Sequence, residues 1–168
     1  EGSESFPIIF TIEGDDLDGT ISGQANNFPQ TLWGGIVLLG KAKNNLNTNC
    51  GPLVVAKGVG LIEGYATAEP RAYYGANLTG APIAGSPFSG ITETFDNYDN
   101  SGILKYVSIR HGGATVGTAN ELNGLTMGSV GAGTTIDHVE IVCNSDDGFE
   151  MFGGTVNLKH CAVWFNDD

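Results

Sequence analysis

Three acidic pairs are the first residues that could do chemistry: Asp15-Asp16, Asp146-Asp147 and Asp167-Asp168. Carboxylates held side by side repel one another unless a cation lies between them. Calcium suits such oxygens, because it takes six to eight of them at about 2.4 Å. Asp146, Asp147, Asp167 and Asp168 are therefore the candidate metal ligands, with Ca2+ as the ion. The same residues also suit solvated corners, where Asp and Asn side chains bond to nearby backbone. The histidines come next. His138 and His160 fall at equivalent positions of a repeat that places Tyr106 in the same row. Adjacent imidazoles bind a metal or carry a proton; they also simply stack as aromatics. Tyr73, Tyr74, Phe95 and Tyr98 are the candidate ligand-binding residues, as rings that stack on sugars. There is no nucleophile elbow and no Gly-Lys-Ser/Thr phosphate loop, so no residue is assigned a catalytic role.

The repeat defines the elements that must hold these groups. Leu104 to Ile109, Ile136 to Ile141 and Leu158 to Val163 align without gaps, with apolar residues at positions 1, 4 and 6. The last two copies are 22 residues apart and the first two 32, which implies an insertion of ten. Gly124 to Met127 repeats as Gly148 to Met151 at an offset of 24. Short strands recurring at this period, separated by Gly and Asn corners, predict an all-β parallel β-helix: a solenoid of about 22 residues per regular coil with long lateral loops. Stacking puts Lys105, Asp137 and Lys159 in one outward row, with charges that alternate in sign. Asn144 and Asn166 form a second polar row. A β-sandwich is the alternative, and would show short hairpin turns instead.

The chain has 168 residues, which predicts one domain over 1–168. Glycine is abundant, at 26 residues, and charged residues make up only 15%, a composition that disfavours helices. The net charge of −12 excludes nucleic acid as a partner and any polybasic membrane contact. No apolar run is long enough to insert in a membrane. Apolar runs at 7–12, 33–39, 53–56 and 59–62 predict strands of earlier coils. Residues 65–101 read as a large lateral loop. Cys143 and Cys161 fall in strands as inert thiols, and Cys50 lies in a polar turn where it could link chains.

Several segments carry a resemblance: Trp33 to Ala42, Ser101 to Val107, Asn120 to Gly128, Gly131 to Val139 and Asp146 to Lys159. Together they resemble a family of secreted right-handed β-helix repeat proteins found largely in Bacteroidota and other marine Gram-negative bacteria. The resemblance covers residues 30–168, most closely 101–168. It implies a right-handed coil, an extracellular or outer-surface location, and further coils beyond the equivalent of Asp168. It carries no catalytic residue. An uncapped end would expose a strand edge, so the domain is expected to belong to a longer chain or an end-to-end assembly. The expected function is a non-enzymatic structural domain: a stalk, adhesin or filament subunit. The alternatives are a lyase-like polysaccharide enzyme, with Lys105, Lys159, Arg110 or Arg71 as its base, and a carbohydrate-binding module using the 65–101 loop.

Overall fold

Alternating apolar and polar residues, many of them β-branched, favour extended backbone over 103–110 and 135–142. The computed structural model describes residues 1–17, 28–46, 58–64, 73–75, 95–117 and 120–167. Among them are twelve strands: β1 (Ile8–Phe10), β2 (Ile36–Leu39), β3 (Val59–Leu61), β4 (Tyr73–Gly75), β5 (Ile103–Arg110), β6 (Thr115–Gly117), β7 (Asn120–Glu121), β8 (Leu125–Val130), β9 (Thr135–Val142), β10 (Phe149–Gly154), β11 (Asn157–Lys159) and β12 (Ala162–Trp164). No helix among the described residues is long and apolar enough to cross a membrane.

The chain alternates between two parallel sheets. One has the order β1-β5-β9, with β11 and β12 both paired to β9; the other has the order β10-β8-β2. The pairing offsets are those of the repeat. Leu104 lies beside Ile136 and Ile136 beside Leu158, while Leu125 lies beside Phe149. The outward row also forms, with Lys105 and Lys159 both opposite Asp137. Val107, Ile109, Ile136, Val139 and Ile141 from the first sheet meet Leu125, Met127 and Val130 from the second in one buried core. Asn144 N–H donates to Asn166 Oδ1 at 3.0 Å, which ties the two corners of the polar row together.

Two pairings depart from the expected coils. The ten extra residues between β5 and β9 hold an antiparallel pair, β6 with β7, so the insertion is a side excursion that leaves the parallel register intact. The run at 59–62 does not join a parallel sheet. Its strand β3 pairs antiparallel with β4, which comes from the segment expected as a loop. Most of that segment, residues 65–72 and 76–94, lies outside the described residues, as do 53–56 and Cys50. Tyr74 of β4 lies against the second sheet over Gly128, where an added Cβ would sit 2.5 Å from its ring. Cys143 is buried and Cys161 half-buried, both as free thiols.

The layers bend at matching positions. Tyr106, His138 and His160 have φ of 50, 54 and 51°; His111, Cys143 and Phe165 have 60, 59 and 54°. Both sets repeat at offsets of 32 and 22. The cost is roughly 1–2 kcal/mol for each such non-glycine residue, so packing must hold every bend in place.

One row gives a direct test. Phe10, Ile109, Ile141 and Val163 lie side by side and are 40, 0, 1 and 45% exposed. Ile141→Ala should cost about 2–5 kcal/mol and Val163→Ala less than about 1 kcal/mol, read from urea unfolding. Equal losses would contradict this layer order.

Candidate functional site

The outer face of the first sheet carries the richest group of functional side chains. Tyr106, His138 and His160 stack ring on ring, with centroids 4.5 Å apart at each step and interplanar angles of 25 and 27°. In a regular strand, neighbouring side chains point to opposite faces. The left-handed backbone at His138 breaks that alternation, and Asp137 and His138 converge. Asp137 Oδ1 lies 2.8 Å from His138 Nδ1 and 2.8 Å from His160 Nδ1. The hydrogen bond from His160 leads, joined by the positive charge of both imidazoles, in holding the Asp137 carboxyl below its ordinary range. Lys105 Nζ stands 4.0 Å from the other oxygen, Oδ2.

A groove of about 320 Å³ runs from this stack across the sheet, lined by Ile9, Tyr106, Ser108, His138, Glu140 and Ala162 among others. A second depression, of about 400 Å³, lies on the Asp137 and Lys159 side. At the far end of the groove, Ser108 Oγ donates to Glu140 Oε1 at 2.6 Å and accepts from Arg110 Nε at 2.9 Å. The Arg110 guanidinium also reaches Glu140 Oε1 at 3.6 Å and Asp15 Oδ2 at 3.9 Å, and donates to the Leu17 carbonyl at 3.0 Å. Arg110 is thus committed to fixed partners. A lyase base must be free to take a proton, and this guanidinium is not placed for that work. Beneath it His111 is fully buried, its Nδ1 2.7 Å from the Pro29 carbonyl.

The second sheet carries an acidic patch. The Glu150 carboxyl is pushed up to about 7, first by burial and then by Glu63, Asp147 and Asp146, while a hydrogen bond from Asn123 Nδ2 works the other way. Glu63 is raised for the same reasons, burial first and then Asp146 and Glu121. Burial leads and Glu150 adds in lifting the Tyr74 hydroxyl to about 12.

The expected site residues are therefore split. Asp146 and Asp147 face Glu63 and Glu150 in this patch. Asp167 lies apart: its N–H donates to the Asn144 carbonyl and its Oδ1 accepts from Gln30 Nε2 at 3.3 Å. Asp168 lies outside the described residues. Among the described residues, Asp146, Asp147 and Asp167 form no group of three with ligand atoms close enough to share an ion, whereas Asp137, His138 and His160 do. Of the aromatics, Tyr73 and Tyr74 are 1 and 4% exposed, core side chains with no open face for a sugar. Phe95 is half-buried and Tyr98 exposed, on a turn anchored where Asn97 accepts from Ala132 N–H. The sequence placed Asp137 in a charge row and the histidines in a ring row. Their convergence is not legible in the sequence, because a Tyr or His at that position does not by itself require a left-handed backbone. The Arg110 network is not legible in the sequence because Asp15 is brought in from a distant segment.

Against protein-family models, residues 1–168 match a pectate-lyase-like β-helix domain, in agreement with the β-helix repeat expected from the motifs. No curated protein and no solved structure matches the chain.

The acidic patch sets a pH dependence. Glu150 is ordinarily a group of pKa 4.5 and titrates near 7 in the folded chain. The folded state keeps its proton where the unfolded state has lost it, so stability falls as pH rises between those values. Glu150→Gln should remove that part of the fall and raise stability at pH 8 by about 1 kcal/mol after solvent screening. Urea midpoints of both proteins from pH 4 to 8 would check this. Parallel curves would show that Glu150 titrates normally.

Proposed function

The chain belongs to the pectate-lyase-like β-helix family, and on that premise we propose that it is a non-enzymatic structural module of the cell surface, whose β-layers continue by end-to-end stacking with a second copy. The observation that carries this reading is the row Phe10, Ile109, Ile141, Val163, apolar throughout, buried in the middle and 40 and 45% exposed at its two ends. Inward-facing apolar residues at an open strand edge favour one more paired layer. Both ends repeat the pattern. Phe6, Ile8 and Phe10 are exposed around the edge strand β1. Met151, Val163, Trp164 and Phe165 are exposed around β10 and β12 at the opposite edges. Phe28 stacks on Phe165 with centroids 4.1 Å apart and covers only part of that end.

The strands of each sheet are parallel, so the β12 edge of one copy can pair with the β1 edge of the next in the direction already set. Such a contact is heterologous, and it propagates as a filament or stalk. A secreted repeat protein of the Bacteroidota type, working as a stalk, adhesin or filament subunit outside the cell, fits this behaviour and the sparse charge of the chain.

The groove favours a second reading, as a seat for an extended polysaccharide. Tyr106 offers a ring beside it. A net charge of −12 opposes a polyanionic chain, so a neutral glycan would be the ligand.

Light scattering on the 168-residue chain tests the main reading. Masses at multiples of 17.5 kDa are expected, growing with added salt as the repulsion between −12 charges is screened. Val163→Lys with Trp164→Lys should return the monomer. A monomer at all salt concentrations would overturn end-to-end stacking, and retardation of that monomer in gels containing neutral polysaccharide would favour the groove instead.

A further inference from the structure

Two imidazoles and a carboxylate turn toward one point at the junction of the two depressions. Asp137 Oδ1 faces both Nδ1 atoms at 2.8 Å, and the three ligand atoms all lie within 4.8 Å of one another. A carboxylate oxygen accepts two hydrogen bonds readily, yet only one is made here. His160 meets the geometry of a hydrogen bond to Asp137. His138 does not, and its Nδ1 is buried with no hydrogen-bond partner. Without a proton, that nitrogen presents a lone pair to a carboxylate. With one, its N–H points off the line. A cation between them removes both difficulties.

The donor set selects the class of ion. Two neutral imidazoles and one carboxylate suit Zn2+ and its first-row neighbours, whereas Ca2+ and Mg2+ prefer all-oxygen sites. Ligands at 2.0–2.1 Å from a tetrahedral ion stand about 3.3 Å apart. The two contacts at 2.8 Å therefore need to open by about half an ångström, and the two imidazole nitrogens, on rings stacked 4.5 Å apart, need to settle at the same spacing. The scaffold resists larger movement: Tyr106 supports the His138 ring from one side and His160 from the other. The side chain of His160 is 66% exposed, which gives an ion a path from solvent.

We propose that Asp137, His138 and His160 form a three-ligand site for one divalent transition-metal ion, with its remaining coordination positions open to solvent beside the groove. All three ligands come from one chain, so an ion needs no second copy, and His160 lies in the edge layer that end-to-end stacking would cover. The ligands lie on β9 and just after β11, and none of them is among the exposed apolar residues of either edge. Lys105 and Lys159 flank Asp137 and oppose added positive charge, which limits how tightly an ion is held.

Zn2+ is the probe, titrated without an affinity tag into the 168-residue chain against a chromophoric chelator. One ion per chain is expected, with saturable binding weakened at least about tenfold in His160→Ala and in Asp137→Asn. Cu2+ in the same site should give an electron paramagnetic resonance spectrum with coupling to two imidazole nitrogens. His160 is largely exposed, so His160→Ala should still unfold cooperatively without metal, its urea midpoint lowered by the loss of one ring stack and one hydrogen bond, and a loss of binding in the folded variant would then report on the ligand itself. Absence of saturable binding, or binding unchanged in both variants, would overturn the proposal.

Discussion

A backbone bend that recurs at the same place in the three successive layers of β5, β9 and β11–β12 governs this fold. Tyr106, His138 and His160 share one left-handed bend, and His111, Cys143 and Phe165 share another. None of the six is glycine or asparagine, the residues that enter this region most easily. Each bend carries a local cost that the layer alone does not recover. Stacking offsets it, because layers bent at the same residue keep their register and their rings in contact through the bend. The rings of the first row pack at 4.5 Å spacing because the bends coincide. Side chains of the second row, His111 and Cys143, are sealed into the interior.

The bend also explains why functional groups gather where they do. A flat strand would send Asp137 and His138 to opposite faces. The left-handed residue brings them to the same side, and the stack adds His160 from the next layer. Farther along β5 and β9 the strands run regularly, and their outward row holds Ser108 beside Glu140, joined by Arg110 into a fixed network. The second sheet has a different outer face. Tyr74 and β3 cover it, which accounts for β8 being buried on both sides. Glu150, at the border of that cover, loses solvent and gains carboxylate neighbours together.

How much of this could be read from the sequence depended on whether the information lay in the repeat. The offsets of 32, 22 and 24 appear as strand pairings, and the alternating row of Lys105, Asp137 and Lys159 forms as charge complementarity requires. These follow from patterns in which every layer repeats its neighbour. The antiparallel pairs β3–β4 and β6–β7 belong to no repeat, so no internal comparison could reveal them. The acidic patch was half visible. Asp146 and Asp147 stood out as a pair, but their neighbour Glu63 comes from a distant segment. Of their expected partners, Asp167 follows the Asn144–Asn166 corner and Asp168 lies outside the described residues. Tyr73 and Tyr74 looked like loop aromatics because the strand that holds them is only three residues long.

A stacked architecture makes neighbouring positions energetically inseparable. His138 touches Tyr106 on one side and His160 on the other, while Asp137 contacts both histidines. Residues that share partners in this way have coupled effects on stability, in contrast to distant sites whose effects add. The same logic holds for the core rows, where each inward side chain is buried by the equivalent residue above and below. A row is buried only as far as the layers extend, and its last member stays half exposed whatever its type. The exposure of Phe10 and Val163 is therefore a property of position in the stack and not of a poorly packed strand. One more paired layer at either edge would bury an existing apolar row without any change in sequence.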